Sequence, residues 1–239
     1  MDLLRAATHG PAYQPSDADL RDIVVAGVAL PRRASVTLLL ATALVLLDVT
    51  RALVTPELLG LPGDAAAMAR AVQRFGLFLV VPLGVVALAF RDDPRRYGLR
   101  LGEWRWGAGL LLAGIVVMTP IILALATLPD FRAYYGRDGV ALPTVVATYA
   151  LELLSAEFVL RGFLLFALLR RIGPLALLVV QVPFIFAHLG KPELELWSTF
   201  FGGTVFAWLN WRTGSILWSG LGHLYILVLM LVAAGGIRG

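Results

Sequence analysis

The sequence contains no cysteine, which excludes a disulfide framework, a thiolate metal site and a cysteine nucleophile. Charge is nearly as scarce. Only 15% of the 239 residues are Asp, Glu, Lys or Arg and 59% are hydrophobic, against about 25% and about 45–50% in a typical soluble domain. A chain so short of charge is not an ordinary soluble globule. Imidazole is limited to His9, His188 and His223, and the one asparagine is Asn210. No small-residue cleavage site follows a suitable apolar core near the N-terminus, so no removable signal peptide is expected. Low-complexity tracts, a soluble domain and a clear internal repeat are also missing.

What the sequence has instead is a series of apolar runs near the roughly 20 residues that cross a hydrocarbon core. They predict an all-α fold, a polytopic transmembrane helical bundle of about seven spans. The runs are about Ser35–Val54, Phe75–Phe90, Trp106–Leu128, Thr144–Leu169, Ile172–Leu189, Leu194–Trp211 and Ser215–Ala234. The second is short and holds Pro82 and Gly84, which predict a kink or tilt. Between the first two, Gly60–Arg74 reads as a connector with a short helix over Ala65–Val72, and Pro129–Leu142 reads as an exposed loop over a site. Residues 1–34 form an N-terminal cytoplasmic or interfacial segment, and 35–239 form the bundle, with a catalytic core in 144–232.

The net charge of +4 resides in short loops between apolar runs, which fits orientation in a bilayer better than phosphate binding, so no nucleic acid partner is expected. One side collects the N-terminus, Arg91, Arg95, Arg96, Arg100, Arg105, Arg170, Arg171 and Arg212. The excess of arginine there predicts a cytoplasmic N-terminus and a multi-pass protein of the cell inner membrane, whose partners include the lipid bilayer.

Against this background the stretch Leu151–Gly162 stands out, because it puts Glu152, Glu157 and Arg161 inside a span. A charged side chain at bilayer depth is costly by a few kcal/mol on insertion scales, so such groups face the protein interior and pair. Glu157 and Arg161 are four apart, acid first, and share a helix face. Glu152 lies roughly 140° around the helix from Glu157 and does not duplicate it. His188 and His223 occupy two other spans. A carboxylate with two imidazoles can activate water and stabilise an oxyanion. The same three groups are also a zinc set, although no His-Glu-x-x-His helix is present and each ligand comes from a different helix. An ion pair that only locks helices together is the structural alternative.

Three motifs in order then resemble a known family. They are Glu157-Phe158-Val159-Leu160-Arg161-Gly162, Phe184-Ile185-Phe186-Ala187-His188, and His223 following Thr213-Gly214-Ser215-Ile216-Leu217-Trp218. Together they resemble the CPBP family, the CAAX-processing and bacteriocin-protection type of glutamic intramembrane protease, over about Thr144 to Val232. The resemblance implies an intramembrane endopeptidase that cleaves a membrane-associated or C-terminal tail peptide with a hydrophobic segment. It implies no cofactor, and it implies Glu157, Arg161, His188 and His223 as site residues. Two positions depart from the family pattern. Ala156 stands where a first, adjacent glutamate is usual, and Leu227 stands where an asparagine usually follows the last histidine. Asn210, at the end of the sixth run, is poorly placed to substitute. These departures support one alternative, a non-catalytic member acting as a membrane binding scaffold, and ionisable groups at bilayer depth leave another, a proton-coupled transporter using Glu157, His188 and His223 as a relay, against which no inverted repeat is seen. Oligomeric state is not legible.

Overall fold

The computed structural model describes residues 11, 13–50, 60, 61, 63–136 and 140–238. Within them the protein is a helical bundle with two minor β pairings. Its helices are α1 (Arg32–Val49), α2 (Gly63–Ala89), α3 (Trp104–Leu125), α4 (Pro129–Tyr135), α5 (Leu142–Glu157), α6 (Leu165–Ile172), α7 (Gln181–Phe186), α8 (Glu193–Thr213) and α9 (Leu217–Ala234). Short single turns join several of these.

Four segments among the described residues are long and apolar enough to cross a membrane: Gly63–Ala89, Trp104–Leu125, Leu142–Phe186 and Leu217–Ala234. The third has 45 residues and holds the fourth run of the sequence and all but the last three residues of the fifth. At 1.5 Å per residue that is about 68 Å if straight, twice a bilayer core. It is bent where Gly173 adopts φ 60° ahead of Pro174. Two expected spans fall short on composition. Helix α1 carries Arg32, Arg33 and Asp48, and α8 carries Glu193, Glu195, Asn210 and Arg212. The first expected run also extends into 51–54, which lie outside the described residues. Length and composition therefore support a polytopic bundle without accounting for all seven crossings.

The connector expected before the second span is instead part of that span. Helix α2 runs unbroken from Gly63 through Pro82, with wide π turns over Gly76–Val80 and Val85–Ala89. A proline removes one amide and crowds the carbonyl four residues back, and a π turn at that carbonyl, Phe78, relieves the clash without breaking the helix. The short helix expected over Ala65–Val72 is present, since alanine is the best helix former, but it continues into the span instead of ending before it.

The expected loop over 129–142 is largely structured. Pro129 at the first helical position and Gly136 at the end bracket α4, whose Phe131 and Tyr135 are buried against Ile122, Met230 and Leu231. Tyr135 donates to Glu195 at 2.6 Å, and Lys191 Nζ donates to the same carboxylate at 2.7 Å. Val140–Ala141 pairs in parallel with Ile237–Arg238. Residues 137–139 lie outside the described part.

From Tyr13 onward the N-terminal segment is docked on the bundle. Asp22–Val25 (β1) and Val28–Pro31 (β2) form an antiparallel hairpin around Ala26 and Gly27, both at positive φ, as a two-residue turn between twisted strands requires. Below it, buried Asp19 meets Arg33 at 2.8 Å and Arg96 at 2.9 Å, and Arg33 also meets Asp92 at 2.8 Å. Burial alone would raise the Asp19 carboxyl, but hydrogen bonds from Ser16 and Arg33 and the charge of Arg170 outweigh it and hold the group well below the usual carboxylate range. Tyr13 donates to the Trp211 carbonyl at 2.9 Å, and burial pushes its phenol up to about 12.

At the centre lies the π-helical segment Phe158–Leu164, joining α5 to α6, with all seven residues buried. A stretch that is apolar on every face but the one carrying Arg161 belongs inside a bundle, and here α1, the first π turn of α2 and the Pro94–Tyr97 turn enclose it. Gly162 is required there. A β-carbon at that position would sit 2.7 Å from the Tyr97 carbonyl oxygen and 2.8 Å from the Phe158 ring.

Candidate active site

The wide π turn begins one residue after Glu157 and carries Arg161, so the acid and the guanidinium stay on one face while the backbone changes pitch. Such turns recur at functional sites because they re-aim side chains without breaking a helix. Glu157 is buried and forms an ion pair with Arg161 through Oε1. Helix α9 supplies two more partners from one face, since Ser219 and His223 are a helical turn apart. Ser219 Oγ donates to Oε2 at 2.6 Å, and His223 Nδ1 lies 3.1 Å from Oε1. Helix α9 comes close to α5 at Gly220, where a β-carbon would meet the Leu154 side chain at 2.6 Å.

His188 follows α7. Its Nδ1 lies 2.9 Å from the Phe184 carbonyl, and its ring stacks on that of His223 at 6.4 Å between centroids, 15° from parallel. An ionised carboxylate and a carbonyl oxygen only accept hydrogen bonds, so in the neutral rings the proton sits on Nδ1 and each Nε2 carries a lone pair. The Arg161 guanidinium carbon lies 4.0 Å from the Phe184 ring centroid and 5.4 Å from that of Phe206. Its Nε and Nη2 have no hydrogen-bond acceptor among the described residues.

All four residues singled out from the sequence thus gather in one place, with Arg161 and His223 bonded directly to Glu157 and His188 reached only through His223. Glu152 is elsewhere. It pairs with Arg74, which also holds Asp48 at 2.9 Å, and so ties α1, α2 and α5 together. Ala156 packs against the central apolar core and Leu227 against the Ile122 and Met230 cluster, so neither position brings a polar group to the site. Asn210 is buried and makes no hydrogen bond to the site residues. As to zinc, among the described residues no group of three His, Asp or Glu side chains is placed to hold a metal ion. Sequence reasoning missed Ser219, Phe184 as a guanidinium platform, and Phe206. The available signal for Ser219 was its position one turn before His223 in an otherwise apolar span.

A carboxylate, a guanidinium and two imidazoles enclosed by membrane-length helices define a membrane protein with a buried polar centre. Residues 138–229 match the family model described as type II CAAX prenyl endopeptidase Rce1-like. Over that stretch, 92 of the 239 residues, the chain is similar to that family, in agreement with the resemblance carried by its three motifs, and the match includes Glu157, Arg161, His188, Ser219 and His223. No curated protein and no solved structure gives a significant match.

Proposed function

We propose that the protein is an intramembrane endopeptidase acting on a peptide or protein tail with a hydrophobic segment, with Glu157 as the base that activates water. The supporting observation is the shared carboxylate, with Glu157 Oε1 held by Arg161 and His223 and Oε2 held by Ser219. Three donors leave part of the carboxylate's capacity of about four lone-pair sites for a water. In the proposed step Glu157 takes one proton from that water as the oxygen adds to the peptide carbonyl. The same proton passes to the amide nitrogen as the C–N bond breaks, leaving a carboxylic acid and an amine. Arg161 orients Glu157, and the Nε2 atoms of His188 and His223 position the water. No metal takes part in this scheme. The arginine-rich loops support the reading of a multi-pass membrane protein with a cytoplasmic N-terminus.

A second reading, a family member that binds such tails without cutting them, is favoured by Ala156 and Leu227 lying in apolar packing. The experiment is to incubate the full chain in liposomes with a farnesylated C-terminal peptide and follow the released fragment by mass spectrometry. Release that His223→Ala and His188→Ala both lose supports hydrolysis. Saturable binding of the peptide with no release by the wild type overturns it in favour of the scaffold.

A further inference from the structure

A cavity of about 610 Å³ lies on the flank of α5, bordering the Glu157 group without including any of its polar side chains. Its walls are almost wholly apolar, with Phe75 and Leu79 from α2 facing Ala147, Leu151 and Leu154 from α5. Its one charged lining residue is Arg100. We propose that this cleft is a binding site for a bilayer lipid, holding one acyl chain along α5 and an anionic phosphate headgroup at Arg100.

Shape, polarity and position argue for that occupant. The volume is within the roughly 300–1,000 Å³ of sites that enclose small ligands. The lining residues on α5 run from Ala147 to Ser155, about 12 Å of helix, so the cleft is elongated along a segment of membrane-crossing length. Arg100 stands at one end of it. Neighbouring Gly98 packs against Phe166 and Ile216, which places this loop, with Arg95 and Arg96 three and two residues before it, at the Ser155 end of the cleft. A cation at the interface end and only apolar walls toward the bilayer interior match a lipid, whose charge is at one end of its chain. Arg100 Nε donates to the Gly214 carbonyl at 2.9 Å and its guanidinium also lies beside the Tyr13 hydroxyl, which together fix the side chain. Both partners are neutral, so its charge is left to meet an exogenous anion. The site goes beyond the proposed hydrolysis and does not depend on it. It does share a wall with the polar centre, because Leu154 lines the cleft and also packs on Gly220 beside Glu157.

The test uses the full chain, delipidated in a neutral detergent, with phosphatidylglycerol and phosphatidylcholine of identical acyl chains added in turn and bound lipid counted by native mass spectrometry. One retained phosphatidylglycerol per chain is expected, preferred about fivefold over phosphatidylcholine, the worth of one basic side chain at an anionic surface. Arg100→Gln should remove the preference while leaving weak binding of both lipids. Leu151→Trp, which fills the cleft and keeps the charge, should remove binding itself. Equal retention of both lipids by the wild type, or full retention by Leu151→Trp, would overturn the assignment. A farnesylated peptide that occupies the cleft in place of any phospholipid would overturn it as well. No readout involves cleavage, so an inactive protein can still pass.

Discussion

Neutralising Glu157 separates the two roles an intramembrane carboxylate can have. Glu157→Gln keeps the volume and one acceptor oxygen but leaves Arg161 buried without a counter-charge, beside two guanidinium nitrogens that already lack acceptors among the described residues. Removing one partner of a buried pair costs about 3–5 kcal/mol, which corresponds to a fall of about 6–20 °C in the thermal midpoint of a chain this size. The base is lost too, and general-base catalysis contributes about 10²–10⁴-fold. A second substitution separates these effects. Arg161→Met places a thioether between the Phe184 and Phe206 rings, where sulfur packs well, and replacing both members of a buried pair is often neutral or stabilising. The double variant should therefore regain most of the lost stability and still fail to cut. The assay is thermal unfolding in detergent alongside fragment release from a farnesylated peptide in liposomes. A double variant that regains stability and cleaves at the wild-type rate would show that Glu157 only locks α5 to α9, and the mechanism above would be wrong.

Three other outcomes follow from the same geometry. Ser219→Ala removes the donor to Oε2 and should cost about 1.5–3 kcal/mol in unfolding experiments, the range for a hydrogen bond to a charged group, while Ser219→Thr should retain most of it. Gly162→Ala pushes a methyl group against the Tyr97 carbonyl and the Phe158 ring and should destabilise by about 1–3 kcal/mol, read from the thermal midpoint. The Asp19 and Asp92 carboxyls are held low, so their contribution is complete above the ordinary aspartate range near about 3.9 and is lost as pH falls through their depressed values. Acid titration should release the N-terminal segment, seen as new proteolytic cleavage before Arg33, and Asp19→Asn should show that release already at neutral pH.

The sequence made the polar centre legible for a physical reason. Charge inside an apolar span is so unfavourable that Glu157, Arg161, His188 and His223 could be singled out without coordinates, and helical spacing gave the Glu157–Arg161 pair. It could not rank the partners. Ser219 is silent because serine is tolerated in spans, and the order in which α9 and α7 approach α5 depends on small residues such as Gly220 whose neighbours are distant in sequence. Glu152 carried the same signal as Glu157, and only the position of Arg74 on another helix shows that it ties helices together. The continuous α2 and the helix at 129–135 were misread locally. At Pro82 a π turn keeps the helix continuous, and the polar, aromatic composition of 129–142 conceals a helix that Pro129 and Gly136 bracket.

The choice between hydrolysis and scaffolding rests on the unused capacity around the ion pair. A bundle that needed only a lock between α5 and α9 would be more stable with every buried donor matched, since each unmatched one forfeits about 1–3 kcal/mol. Arg161 instead directs Nε and Nη2 at no acceptor among the described residues, and the aromatic faces of Phe184 and Phe206 offset only part of that deficit. Donors of this kind are useful where negative charge is transient, because they stabilise an oxyanion far more than the neutral carbonyl from which it forms. Leu227 removes the amide that the family pattern would offer for that charge, and the guanidinium is already fixed by Glu157 within the same group of side chains. The departures at Ala156 and Leu227 are therefore compatible with catalysis if one acid serves as the base and Arg161 both orients that acid and receives the developing charge. In that arrangement the ion pair and the active site are the same structure, so stability and turnover must be measured together in every variant of it.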